Sequence, residues 1–285
     1  MSRSSQSAAV LRRIVLQRSA SLRGRAEKVV TRVADRQPVT TPWHRLSGPI
    51  ALGLTVLALV IFAFFIWTQF TDPRYAPLWS VDRITYREAG LRVLAGGQWF
   101  LPEQVTGQPY EVTLGHVMYP PVAMLWLVPA ALLPDLLWWA IPLAVIAIIV
   151  VRHRPSMWGW AGIAACLAYP PTSQMLVSGN PGLWIAAAAA IGSVWPPAYA
   201  LIFAKPSLFP FAFLGARDRG WWLLVGAGVA LSIATLPLTL EWISALTNAR
   251  GLFSGPLYGF RDLGWLLIPL IASRTTGHPT RGATS

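Results

Sequence analysis

The run from Ile50 to Phe70 holds no charged residue and has about the ~20 residues a helix needs to cross the hydrocarbon core of a bilayer. Lipid offers no hydrogen-bond partners, so such a run must satisfy its own backbone, and a helix does so. Further apolar blocks run from Tyr119 to Leu133, Leu136 to Val151, Met157 to Tyr169, Leu183 to Val194, Pro197 to Leu214, Trp221 to Leu240 and Leu263 to Ala272. Composition points the same way, since 54% hydrophobic and 12% charged residues with 15 tryptophans suit lipid rather than water. The expected fold is an all-α polytopic membrane protein, with one membrane domain over residues 48–272 built from about 7–9 transmembrane or partly inserted helices. Several blocks are shorter than a full span and carry prolines, which predicts short and broken helices. In membrane proteins such breaks are tolerated where the freed backbone groups face protein or a watery cavity, although Pro is also commoner in membrane helices generally. The block from Tyr119 to Leu133 disturbs an alternating topology and reads as re-entrant or partly inserted.

The net charge of +12 is unevenly placed, because residues 1–45 hold ten Lys/Arg against two acids. A basic arm ahead of a span is the positive-inside signal, with anionic lipid as its partner, rather than a nucleic-acid surface. It predicts a cytoplasmic N-terminal arm (residues 1–47) on a multi-pass protein of the plasma membrane. Val10, Leu11, Ile14 and Val15 fall among its arginines in a loose helical rhythm that suits a membrane surface, and a flexible tail fits as well. The span is too long for a cleaved signal peptide and reads as a permanent anchor. The cationic clusters Arg152–Arg154 and Arg217–Arg219 belong on the same cytoplasmic side. Residues 71–118, the stretch "YPPTSQMLVSGN" and Lys205 then share the outer face, and residues 273–285 form a polar tail. Cys166 sits among apolar neighbours and reads as a small buried hydrophobe. His44, His116, His153 and His278 are scattered without ligand spacing, and no acidic cluster suggests a dedicated cation site. Neither a cofactor nor a catalytic metal is expected.

The polar stretch "SVDRITYREAGLRVLAGGQWF", residues 80–100, interrupts this pattern. If residues 82–95 are helical, the 3.6-residue period puts Asp82, Tyr86, Ala89 and Val93 on one face and Ile84, Leu91 and Ala95 on the other. Glu88 and Arg92 stand four apart in the favourable order, and Gly96-Gly97 supplies a stop. The result is an interfacial helix, one side against the membrane domain, with Asp82 at its start. As structure alone, Asp82 is a helix cap.

The order Asp82, Tyr86, Ala89, Leu94-Ala95-Gly96, then Tyr119-Pro120-Pro121, Gly179-Asn180 and Lys205-Pro206 resembles glycosyltransferase family 87. Its members are polyprenyl-phosphate-mannose-dependent mannosyltransferases of the GT-C fold, among them enzymes that elongate phosphatidylinositol mannosides. The likeness covers roughly residues 67–242, each motif being short. Ser178-Gly179 stands where the family shows Gly-Gln, and the chain reads as a short or C-terminally reduced member. The resemblance implies a membrane glycosyltransferase moving a sugar, mannose first, from a polyprenyl-phosphate donor to a lipid or glycan acceptor hydroxyl outside the cytoplasm. Asp82 would take the hydroxyl proton, with Asp72 as its competitor. Lys205 is one of two lysines against 21 arginines, and an ammonium in an apolar run needs an anionic partner. Donor phosphate would supply it; a carboxylate such as Glu241, or snorkelling, is the plainer reading. Further substrate-binding candidates are Tyr86, Arg83, Arg87, His116, Tyr119 and Asn180. Gly179-Asn180-Pro181 also reads as a turn, the arginines as lipid contacts, and Tyr119-Pro120-Pro121 as a helix start. The tryptophan pairs 138–139 and 221–222 suit sugar stacking or interface anchoring. Two other functions fit the composition, namely an inactive GT-C-like scaffold or lipid-binding subunit and a small transporter with broken helices.

Overall fold

A computed structural model describes residues 42–113, 115–251 and 261–276, with only the backbone at 42–46 and 131. The chain divides into two units, 1–47 and 48–285. The surface-bound arm expected for the first unit lies outside the described residues up to position 41, and so does the tail from 277.

The described chain is helical nearly throughout, as the apolar blocks require. Helix α1 (Pro42–Thr71) is followed by a 3₁₀ turn (Pro73–Leu78), α2 (Val81–Leu94), the single turn α3 (Pro102–Val105) and β1 (Tyr110–Glu111). A 3₁₀ turn at Pro121–Ala123 then leads into α4 (Met124–Ala131), α5 (Asp135–His153), α6 (Met157–Ala168), α7 (Pro170–Ser178) and α8 (Gly182–Gly192). Two 3₁₀ segments (Pro196–Ala204, Pro206–Leu208), the single turn α9 (Phe209–Ala212) and a 3₁₀ turn (Phe213–Gly215) precede α10 (Arg219–Ala234), α11 (Leu236–Asn248), β2 (Ala249–Arg250) and α12 (Leu263–Arg274). The strands pair in parallel, Tyr110 opposite Ala249 and Glu111 opposite Arg250. This ties the segment after α2 to the end of α11.

The expected count of 7–9 inserted helices is corrected. Among the described residues, two helices, Ser47–Thr71 and Asp135–His153, are long and apolar enough to cross a membrane. The count rises to four if the bent pairs α7–α8 (110°) and α10–α11 (93°) each make one span. The other apolar blocks form helices of 10–17 residues, short of a span. Their apolarity has another cause, clear in α12, where Gly264, Trp265, Leu266, Ile268, Pro269 and Ala272 are all buried. A helix apolar on all sides is as much a mark of a protein interior as of lipid.

Helix α8 is the centre of the core, packed by α5, by the 3₁₀ segment Pro196–Ala204 and by α12. Its alanines allow close approach, and at Gly192 a Cβ would lie 2.7 Å from Cγ of the Tyr199 ring. Helix α1 is different, with only 11% of its apolar window covered by the rest of the chain; Leu52, Val56, Val60 and Phe64 point outward.

Helix α2 takes the predicted faces. Tyr86, Ala89 and Gly90 are buried, with α4 as the neighbour, where a Cβ on Gly90 would stand 3.2 Å from Val128 Cγ1. Ile84, Leu91 and Leu94 are exposed. The expected Glu88–Arg92 pairing is not what holds the end of the helix. Arg92 instead donates from Nε to the Gln98 carbonyl (2.8 Å) and from Nη2 to the Trp99 carbonyl (3.0 Å), bonds that fold the Gly96-Gly97 turn back on α2. Gly96 takes φ +82°, the left-handed conformation that glycine adopts freely.

Candidate active site

Asp82 occupies the first turn of α2, while the cap position belongs to Ser80, whose side chain makes no cap bond. Ser80 holds φ 56°, and its N–H donates to the Val177 carbonyl at 3.0 Å, so the start of α2 is tied to the end of α7. The Asp82 carboxylate is thereby brought against residues 178–180. Ser178 Oγ donates to Asp82 Oδ2 at 2.7 Å and Asn180 Nδ2 donates to the same oxygen at 2.8 Å. Both bonds fall on Oδ2. Asp72, the competitor, caps the Pro73–Leu78 turn and is taken up by the backbone and guanidinium of Arg74.

The sharp turn between α7 and α8 sets this geometry. Gly179 has φ +68°, its carbonyl accepts from Trp138 Nε1 at 2.9 Å, and the Leu176 carbonyl accepts from Trp139 Nε1 at 2.7 Å. This tryptophan pair braces the turn from α5. Asn180 Oδ1 accepts from the Gly182 N–H at 2.8 Å, which fixes the amide so that Nδ2 faces Asp82. The turn reading of Gly179-Asn180 and the functional reading are therefore compatible.

Lys205 sits at the break between the 3₁₀ segments, 6% exposed. Its ammonium lies 2.5 Å from Oδ2 of Asp262, which is 3% exposed at the start of α12. Glu241, the carboxylate suggested by the sequence, is not its ion-pair partner. Burial pushes the Asp262 carboxyl above the usual range, and the Lys205 ammonium pulls it back; the Asp82 charge adds to the rise and Arg261 opposes it. Lys205 Nζ is also 5.7 Å from the centre of the Tyr119 ring, and Tyr119 meets Tyr86 edge-on with centroids 5.3 Å apart. Two aromatic rings thus bridge from the Asp82 helix to the lysine.

These groups line one cavity of about 730 Å³. Asp82, Tyr86, His116, Tyr119, Asn180 and Lys205 all face it, brought together from four separate parts of the chain. Ser178, Gln174, Arg261 and Asp262 join them, and Pro77, Leu78, Val81, Met175 and Leu246 supply apolar wall. His116 is held at both nitrogens: the Thr113 N–H donates to Nδ1 at 2.9 Å, and Nε2 lies 3.3 Å from Glu103 Oε1. A ring engaged on both edges serves to fix residues 103–116 beside the cavity.

Arg83 and Arg87 do not line the cavity. One position round the helix from Asp82, Arg83 is buried, donates to the Leu133 carbonyl at 3.1 Å and pairs with the Asp135 carboxylate, anchoring α2 to the start of α5. Arg87 is exposed. The tryptophans of the pairs 138–139 and 221–222 each donate to a backbone carbonyl, so they brace turns rather than present faces to a ligand. Among the described residues no three His, Cys, Asp or Glu side chains gather as metal ligands would.

Asp262 pairs with Lys205 and Ser178 donates to Asp82, yet the sequence singles out neither as a site residue. The signal for Asp262 is indirect, in the partner that Lys205 requires; Ser178 shows itself only as a departure from a motif. Comparison with protein-family models, curated proteins and solved structures finds no match. The site's chemistry therefore rests on its geometry: a carboxylate held at one oxygen by two donors, a buried cation paired with a buried carboxylate, and an apolar wall.

Proposed function

We propose that this cavity is the active site of a membrane glycosyltransferase of the GT-C type, resembling family 87, that moves a sugar from a polyprenyl-phosphate donor to an acceptor hydroxyl. The observation that carries the reading is that Asp82 and Lys205, far apart in sequence, line one cavity. Asp82 Oδ1 takes the proton of the acceptor hydroxyl as its oxygen bonds to the anomeric carbon, while Ser178 and Asn180 hold Oδ2 and fix the carboxylate plane. The bond between the anomeric carbon and the phosphate oxygen breaks, and polyprenyl phosphate leaves with the electron pair. Lys205 faces the phosphate and stabilises the charge that develops there. The apolar wall takes the first part of the prenyl chain. Mannose is the sugar of first choice, the acceptor is a lipid or glycan, and catalysis proceeds without metal. In this reading the cavity opens on the extracytoplasmic face of the plasma membrane.

The decisive experiment is Asp82→Asn in protein reconstituted with a polyprenyl-phosphate sugar. General-base help is worth ~10²–10⁴-fold, so transfer should fall by that factor while membrane insertion is unchanged. Undiminished transfer removes Asp82 as the base. The internal pairing of Lys205 with Asp262 favours one second reading, a lipid-binding subunit without catalysis, which would give no product with any donor.

A further inference from the structure

Lys205 and Asp262 form a pair of opposite charges that are both almost wholly shielded from water. Desolvation would discharge either group alone, since burial favours the neutral form of a lysine and of a carboxyl alike. Removing one member of a buried pair strands the other. The other charges facing Asp262 are Asp82 and Arg261, of opposite sign, and the flank of Lys205 is the Tyr119 ring. The start of α8 leaves room for the carboxylate: a Cβ on Gly182 would stand 2.3 Å from Met175 Cε, 2.8 Å from Asp262 Oδ1 and 3.0 Å from Asn180 Oδ1. The same glycine therefore admits the partner of the lysine and the amide that holds Asp82.

The geometry points to Asp262 as the positioning residue for Lys205: its buried carboxylate keeps the ammonium charged and fixed in the cavity, so that an anionic ligand depends on a like-charged residue it need not touch. This deepens the transfer reading, in which that anion is the donor phosphate. It makes a prediction opposite to simple charge counting, because removing a negative charge from the cavity should weaken anion binding instead of strengthening it.

The chain has two lysines, Lys28 and Lys205, so a Lys28→Arg background labelled with ¹³C-lysine gives a single lysine Cε signal that reports the ionisation of Lys205. In detergent micelles the Asp262→Asn protein should titrate at least about one pH unit lower, a ~10-fold loss of proton affinity, and Asp262→Glu should restore most of it. Should Asp262→Asn fail to fold, Asp262→Ser, smaller and uncharged, removes the same carboxylate, and its lysine should titrate lower as well. Identical titration of Lys205 with and without the carboxylate overturns the positioning role. Adding a polyprenyl phosphate separates this inference from the transfer reading. In the parent protein the Cε signal should shift with ligand, and more ligand should be needed in Asp262→Asn. Tighter binding in Asp262→Asn overturns the proposal. A titration that depends on Asp262, with no response to polyprenyl phosphate, upholds the positioning role and removes phosphate as the ligand.

Discussion

Replacing Gly179 by alanine tests the turn on which the cavity depends. With φ +68° an L-residue pays ~1–2 kcal/mol in the left-handed region. The added Cβ would also stand 3.0 Å from Arg83 Cβ, 3.0 Å from Trp139 Cζ2 and 3.2 Å from Trp138 Nε1. These atoms belong to a helix and to braced rings rather than to loose side-chain tips, so overpacking adds ~1–3 kcal/mol. Restricting the unfolded chain returns ~0.4–1 kcal/mol, leaving a net loss of about 1–5 kcal/mol by these terms. Gly96 provides the control, since it has φ +82° but nothing within 4 Å of where a Cβ would stand; alanine there meets strain alone. The assay is unfolding by SDS in mixed micelles followed by tryptophan fluorescence. Gly179→Ala should lower stability by ~1–3 kcal/mol more than Gly96→Ala, the packing contribution. Equal effects at the two positions would refute the idea that close packing of α2 and α5 fixes this turn.

Other expectations concern the segment between α2 and the cavity. Gln104, fully buried, accepts from the Leu101 N–H at 3.1 Å and donates to the Val117 carbonyl at 2.9 Å; Gln104→Ala should cost about 1–3 kcal/mol for each buried group left unpaired and speed amide exchange across residues 101–117. Glu103 is held below the usual glutamate range, first by its own backbone N–H and then by His116. A lowered folded value means that its contribution is present above the ordinary glutamate range and is lost as pH falls through the depressed value. Amide protection factors near residue 103, corrected for the pH dependence of intrinsic exchange, should therefore fall on acidification, and Glu103→Gln should remove that part of the pH dependence.

The legible part of the fold is the part governed by local rules. The faces of α2, the glycine stop at Gly96 and the turn at Gly179 follow from period and backbone preference, and the structure has each of them. Lys205 is legible as a residue in need of an anion, because the cost of an unpaired ammonium is a local fact. Which carboxylate answers it is not, since Asp262 arrives from a later helix and no spacing rule links the two. Arg83 is misplaced by the sequence for a related reason: period separates it from Asp82 by one step round the helix, but only the position of α5 shows that this step leads to Asp135 rather than to the cavity. The helix count fails at helices such as α12, where hydropathy reads burial in protein as though it were burial in lipid.

The 3₁₀ segment Pro196–Ala204, nine residues long, is a gauge of distance. At ~2.0 Å per residue it reaches about 18 Å, where the same residues wound as an α-helix would reach about 13.5 Å. The narrower winding places the end of the segment some ~4–5 Å farther along its axis by that difference in rise. Lys205 is the next residue, so the pitch of the chain before it sets where the cation stands along that axis. A one-residue deletion between Trp195 and Lys205 would draw the lysine back by ~2 Å along that axis, a shift comparable with the 2.5 Å contact it makes with Asp262, without altering either charged residue.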